Sequence, residues 1–172
     1  MATSTARALP VSPDREWAPR WRARRKAAVA YRRILVPLVD HEQSEQAMAI
    51  ACRLAAERRT AVTAVSVVEV PVELPLDAHM IEEEGHAKHV LADATAIGDL
   101  YGVSVAARIL RGRAAGEAIV KEAKEAESEI IVLKAPRKKR MGGAAPIFGR
   151  TVDYVLKHAP CRVMVAASPA DM

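Results

Sequence analysis

Ile34-Leu-Val-Pro-Leu-Val39 is a short, unbroken apolar run, and it opens a regular alternation of patterns along the chain. A strand with one wet face would alternate apolar and polar residues. Six apolar residues in a row instead fit a strand buried on both faces, the kind found inside parallel sheets. Behind it, Ser44 to Arg58 sets Ala47, Ile50, Ala51, Leu54 and Ala55 on one helical stripe. Ala61 to Val70 is β-branched and reads as a second strand. Pro71 and Pro75 then open a loop, because proline fits poorly inside a sheet.

The alternation continues. Ala78 to Tyr101 reads as a long helix with Glu82, Glu83 and Glu84 near its start, where negative charge is favoured, and with Gly102 closing it. Val103 to Leu110 is the third strand. Ala114 to Ala126 is a helix with Glu117 and Lys121 spaced for an i,i+4 pair. Ile130 to Leu133 is the fourth strand, followed by a loop rich in Lys, Arg and Gly. Gly149 to His158 is the last helix, stopped by Pro160, and Arg162 to Ala166 is the fifth strand. Strands separated by helices run mostly parallel, with right-handed crossovers between two helical layers. The pattern predicts an α/β domain over residues 33–167, a doubly wound five-stranded parallel sheet. In such sheets ligands bind outside the carboxyl ends of the strands, where strand order reverses. The loops after Val39, Val70 and Leu133 are therefore the ones to watch, and the cleft is expected beside Lys134 to Phe148.

Composition agrees with one domain. The chain has 172 residues and 51% hydrophobic content, enough for a core, yet only 3% aromatics and a single Phe, Phe148. Ala, Val, Ile and Leu must do the packing. The net charge of +5 divides unevenly: residues 1–33 carry nine Arg/Lys against Asp14 and Glu16, while the rest carries 17 basic and 19 acidic residues. Residues 1–32 thus read as a basic, disordered tail, and residues 168–172 as a short C-terminal one. Trp21 to Arg33 is basic enough for a short helix. It reads first as a solvated segment, second as one resting on an anionic membrane surface, and no nucleic acid partner is expected. Cys52 and Cys161 match no metal or redox spacing and read as reduced thiols of a cytoplasmic protein.

The residues resemble the universal stress protein family. The likeness runs through Arg33-Ile-Leu-Val-Pro37, the Ser44-Glu-Gln-Ala helix start, Gly112-Arg-Ala-Ala-Gly-Glu-Ala-Ile119, Ile130-Ile-Val-Leu133 and Phe148-Gly-Arg-Thr-Val-Asp-Tyr-Val-Leu-Lys-His-Ala-Pro-Cys-Arg-Val-Met-Val165. It implies a Rossmann-like fold of the adenine nucleotide alpha-hydrolase-like kind, with strand order 3-2-1-4-5. It also implies a homodimer in which the last strand, Arg162 to Ala166, pairs antiparallel with its twin. Such pairing would protect an apolar edge. Ile147 to Leu156 further resembles stress-protein domains fused to bacterial amino-acid transporters, which would make residues 21–33 a linker beside a membrane.

The family's nucleotide site is matched only in part. The resemblance places Pro37, Val39 and Asp40 at the ligand end of the first strand, but Val39 stands where ATP-binding members carry Asp, and Asp40 comes one step later. Side chains alternate faces along a strand, so that slip matters. After the fourth strand those members show Gly-x2-Gly-x9-Gly-Ser/Thr, where glycine lets backbone N–H groups approach phosphate. Counting back from Gly149 meets Pro136 and Lys139 in place of the first two glycines, and Arg150 takes the hydroxyl position with Thr151 behind it. Pro136 has no N–H to donate. Arg137 to Arg140 could bind phosphate through side chains instead, or be an ordinary solvated run.

No catalytic constellation is legible, so the chain does not read as an enzyme. His79, His86 and His89 share a helix without the Cys or carboxylate companions of a metal site. Ser44 reads as the cap of the first helix, with Asp40 as the alternative. Three functions remain: a non-catalytic regulatory or sensor domain with a degenerate nucleotide cleft, a working adenine-nucleotide (ATP or AMP) binder, and a cytoplasmic module of an amino-acid transporter. The cofactor is accordingly ATP, another adenine nucleotide, or none.

Overall fold

The structure is a computed structural model that describes residues 31–38, 41–135 and 149–166. In chain order its elements are β1 (Ile34–Leu38), α1 (His41–Ala56), β2 (Val62–Glu69), α2 (Ile81–Leu100) and β3 (Val105–Gly112), then α3 (Ala115–Glu125), β4 (Ile130–Lys134), α4 (Gly149–His158) and β5 (Arg162–Ala166). The five strands form one sheet in the order β3-β2-β1-β4-β5, and every neighbouring pair is parallel.

All five residues of β1 are buried, as a central strand covered on both faces requires. Alternation along the strand splits the core into two layers. Ile34, Val36 and Leu38 join Val62, Ala64, Ile130 and Val132 against α1 and α2, through Ala47, Met48, Ala51, Cys52, Val90 and Ala94. Leu35 joins Val65, Ile131 and Leu133 on the other face, against Ile119 and Ala123 of α3 and Val152 and Val155 of α4. The many alanines let helices sit close to the sheet without aromatic filler. Each large aliphatic side chain removed from water in these layers contributes about 1.5–3 kcal/mol.

Several boundaries differ from the sequence reading for physical reasons. α1 begins at His41, so Ser44 lies inside the helix and does not cap it; Asp40 lies outside the described residues. The buried stripe of α1 also takes in Met48 and Cys52, leaving Ile50 and Leu54 at its margin. α2 starts at Ile81 rather than Ala78, because residues 71–80 form turns held from outside the helix. Gly102 does close α2, at φ 64°, with Val103 N–H returned to Gly98 O at 2.9 Å. β3 consequently begins at Val105 and runs to Gly112, paired with β2 along its length. Lys121 lies 3.9 Å from Glu125 rather than beside Glu117, in an exposed pair that contributes little.

Candidate functional site

The ladder between the two central strands is short. β1 pairs with β2 from Ile34 to Leu38, but with β4 only through Ile34↔Ile130 and Leu35↔Ile131. β4 meanwhile stays paired with β5 as far as Lys134↔Ala166. Beyond Leu35 and Ile131 the ladder between the two central strands stops, at the point where strand order reverses. Pro37, which has no N–H to lend a ladder, sits where the β1–β4 pairing has ended. An open α/β sheet takes its ligands at such a crevice.

A cleft of about 460 Å³ lies at this end of the sheet. Leu38 ends β1 on one side, and Ser66 to Glu69 supply the carboxyl end of β2. Glu82, Glu83 and His86 come from the first turns of α2, Ala115 from the start of α3, and Thr151 from the first turn of α4. The volume is that of a small-molecule site. Residues from the first turns of three helices and from two strand ends line it, and the positive potential of a helix N-terminus reaches over its first turn.

One of those helix ends is already occupied. Ala114, at the N-cap of α3, offers no side-chain acceptor, and Glu69 at the end of β2 serves instead: its Oε1 accepts the Ala115 N–H at 2.6 Å. A carboxylate from this chain thus stands where an external anion would otherwise bind. Glu82 and Glu83 add two more acidic side chains to the lining of the cleft. The outer rim is fixed by arginines of the β3 end and the turn after it. Arg113 donates to Val70 O at 3.1 Å and also to Pro71 O, while Arg111 donates to Leu76 O at 2.9 Å and pairs with Glu84. The hydrogen bond from Arg111 holds the Glu84 carboxyl below the usual carboxylate range.

The structure brings some of the sequence-derived residues together. Thr151 lines the cleft, and Pro37 precedes Leu38, which also lines it, though Pro37 itself is buried in the sheet. Gly149 opens α4 at φ 79°, a left-handed conformation that glycine adopts without strain, and Arg150 beside it is exposed. Val39, Asp40, Pro136, Arg137 and Lys139 lie outside the described residues. Sequence reasoning had marked the loop after Val70, yet it assigned none of Ser66, Glu69, Glu82, Glu83 and His86 to the cleft. A carboxylate at a strand end followed by a loop was the available signal for Glu69.

Chemistry beyond binding has little support among the described residues. No three His, Cys, Asp or Glu side chains there are placed to hold a metal. Burial pushes the thiols of Cys52 and Cys161 upward, keeping both protonated and poorly nucleophilic. His158 stacks on Tyr154 at 4.1 Å and has Nδ1 2.9 Å from Tyr154 O, a local contact at the end of α4. None of the described helices is long and apolar enough to cross a membrane.

Comparison with known proteins agrees with this fold. A family model for the universal stress protein family matches residues 30–167. A universal stress protein of Methanocaldococcus jannaschii is 28% identical over 147 residues, covering 81% of this chain and 84% of its own. Among solved structures, a universal stress protein in complex with cAMP superposes with a TM-score of 0.66 at 19% identity, over 80% of this chain and 97% of that one. The universal stress protein of Archaeoglobus fulgidus in complex with dAMP gives 0.62 at 21% identity, over 79% of this chain and 98% of that one. At these identities the structural likeness speaks for the fold.

Proposed function

The chain belongs to the universal stress protein family, and from that premise we propose that it is a non-catalytic regulatory domain whose nucleotide cleft keeps its place in the fold but grips phosphate weakly. The observation that carries this reading is the Glu69 carboxylate bound to the first amide of α3 inside the cleft. It neutralises an anion-binding helix end, and with Glu82 and Glu83 it makes the lining of the cleft repel polyphosphate. The sequence removes phosphate-binding capacity on the other side, where Pro136 and Lys139 replace glycines. An adenine nucleotide would then be held mainly by its nucleoside, against Ser66 to Val68 and Leu38. Relatives of this fold solved with cAMP and dAMP make that ligand class the natural one to test.

Titration of the purified protein with labelled ATP, AMP and cyclic AMP tests the proposal. Weak binding with no premium for the triphosphate supports it. Micromolar ATP binding that disappears in Gly149→Val and Arg150→Ala would instead establish a working binder. That second reading has its own support in Gly149 at φ 79° and Thr151 lining the cleft. Binding indifferent to both substitutions would remove the site from this position.

The same reading makes the protein a homodimer through β5. Val163 to Ala166 are only half-buried on an edge strand, an arrangement that antiparallel pairing with a second copy would cover. A Val163→Asp/Val165→Asp variant should sediment as a monomer if this edge is the interface.

A further inference from the structure

The loop between β2 and α2 is built to display apolar side chains. Its backbone is fixed by Arg111 and Arg113: Arg111 donates to Leu76 O at 2.9 Å and to Ala78 O, and Arg113 donates to Val70 O at 3.1 Å and to Pro71 O. Turns within the loop add Leu74 N–H to Pro71 O at 3.1 Å and Ala78 N–H to Pro75 O at 3.0 Å. With the carbonyls so held, Val72 remains 80% exposed and Leu76 49%, and Ile81 on the first turn of α2 is 80% exposed. A mobile loop could fold such side chains inward; a pinned one keeps them in water. Exposed apolar groups held on one fixed loop in this way mark a contact surface.

Charge identifies what fits there. Residues 71–83 carry Glu73, Asp77, Glu82 and Glu83 and no Lys or Arg, and of the two arginines that hold the loop Arg111 is paired with Glu84, so apolar bulk with positive charge suits the occupant. Arg15 to Lys26 of this chain has that chemistry: Trp17 and Trp21 with Arg15, Arg20, Arg22, Arg24, Arg25 and Lys26, against one acidic residue, Glu16. Reach permits the contact. The chain from Trp17 to Tyr31, which leads into β1, can extend about 46 Å. The path from Tyr31 to the loop, three residues to Ile34 and then the eight-residue β2 that starts level with it, spans about 36 Å.

We propose that the segment from Arg15 to Lys26 docks on the β2–α2 loop. Its tryptophans cover Val72, Leu76 and Ile81, and its basic side chains meet Glu73, Asp77, Glu82 and Glu83. The proposal does not rest on which nucleotide, if any, the cleft accepts.

Trp17 and Trp21 are the only tryptophans in the chain, so intrinsic fluorescence of the full-length protein reports on this segment alone. The docked segment gives blue-shifted emission and restricted quenching by acrylamide, independent of protein concentration. Val72→Asp combined with Ile81→Asp shifts emission to the red and raises quenching; both positions are exposed, so folding is spared. Glu82→Lys with Glu83→Lys, or high salt, acts in the same direction. Leu100→Asp, at an equally exposed apolar residue of the far end of α2, leaves the spectrum unchanged. Emission equal to that of the denatured chain overturns the proposal, as does a blue shift untouched by the loop variants. A blue shift that appears only with vesicles of anionic lipid assigns the segment to a membrane surface and overturns it too. Dependence on concentration places the contact in a second copy and refutes docking within one chain.

Discussion

Glu69 holds two positions at once, the end of β2 and the first free amide of α3. Replacing it with Ala removes the helix's borrowed cap and should lower stability by about 1 kcal/mol, read from chemical denaturation. Glu69→Gln keeps an acceptor oxygen and should lose less. Equal losses in the two variants would mean that the hydrogen bond matters no more than the charge. Glu122 offers a second residue-level test. Its side chain is 6% exposed and bonds Arg108 at 2.5 Å, across from α3 to the edge strand β3. Arg108→Ala strands a buried carboxylate and should cost about 1–3 kcal/mol. The same change in a Glu122→Gln background should cost clearly less, and additive losses would show the pair to be uncoupled. Neither partnership was legible in the sequence, because each joins residues from different elements and neither falls on a motif. Gly149 and Thr151 were legible, because the family likeness fixes them by spacing.

Elements obey local rules where nothing outside them intervenes. α4 and β5 have the bounds their sequence implies, since Pro160 stops the helix and the apolar run that follows has no competing pattern. The start of α2 was misplaced because Arg111 and Arg113 hold the preceding residues as a loop, and those arginines lie on a different stretch of chain. That restraint is pH-dependent. Glu84 has a folded pKa below its ordinary 4.5 because Arg111 bonds its charged form. Its contribution is therefore fully present above the ordinary value and is lost as pH falls through the depressed folded value. Amide exchange in residues 72–80 should accelerate over that acidic window, and Glu84→Gln should remove the dependence; an unchanged profile in the variant would contradict the assignment. The other end of α2 packs tightly on the sheet. A Cβ added at Gly98 would lie 2.3 Å from Val105 Cγ2 and 2.8 Å from Val103 O. Gly98→Ala should thus destabilise by about 1–3 kcal/mol through overpacking, although Ala is the better helix former. A stabilised variant in thermal or chemical unfolding would show that β3 can move away.

At the scale of the whole molecule, the strand order was implied by family likeness, while apolar runs and helical stripes predicted the doubly wound class. Topology alone put the expected cleft at the carboxyl ends of the strands, beside residues 134–148, of which 136–148 lie outside the described residues. Its chemistry did not follow, because the wall facing α4 is assembled from β2, α2 and α3, whose residues are remote in sequence. The central claim is that this cleft has kept a place for a nucleoside and lost its hold on phosphate. Calorimetric titration with adenosine and with ATP, side by side on the intact protein, addresses that most directly. The account predicts an ATP affinity no greater than that for adenosine; ATP binding tighter by orders of magnitude would contradict it.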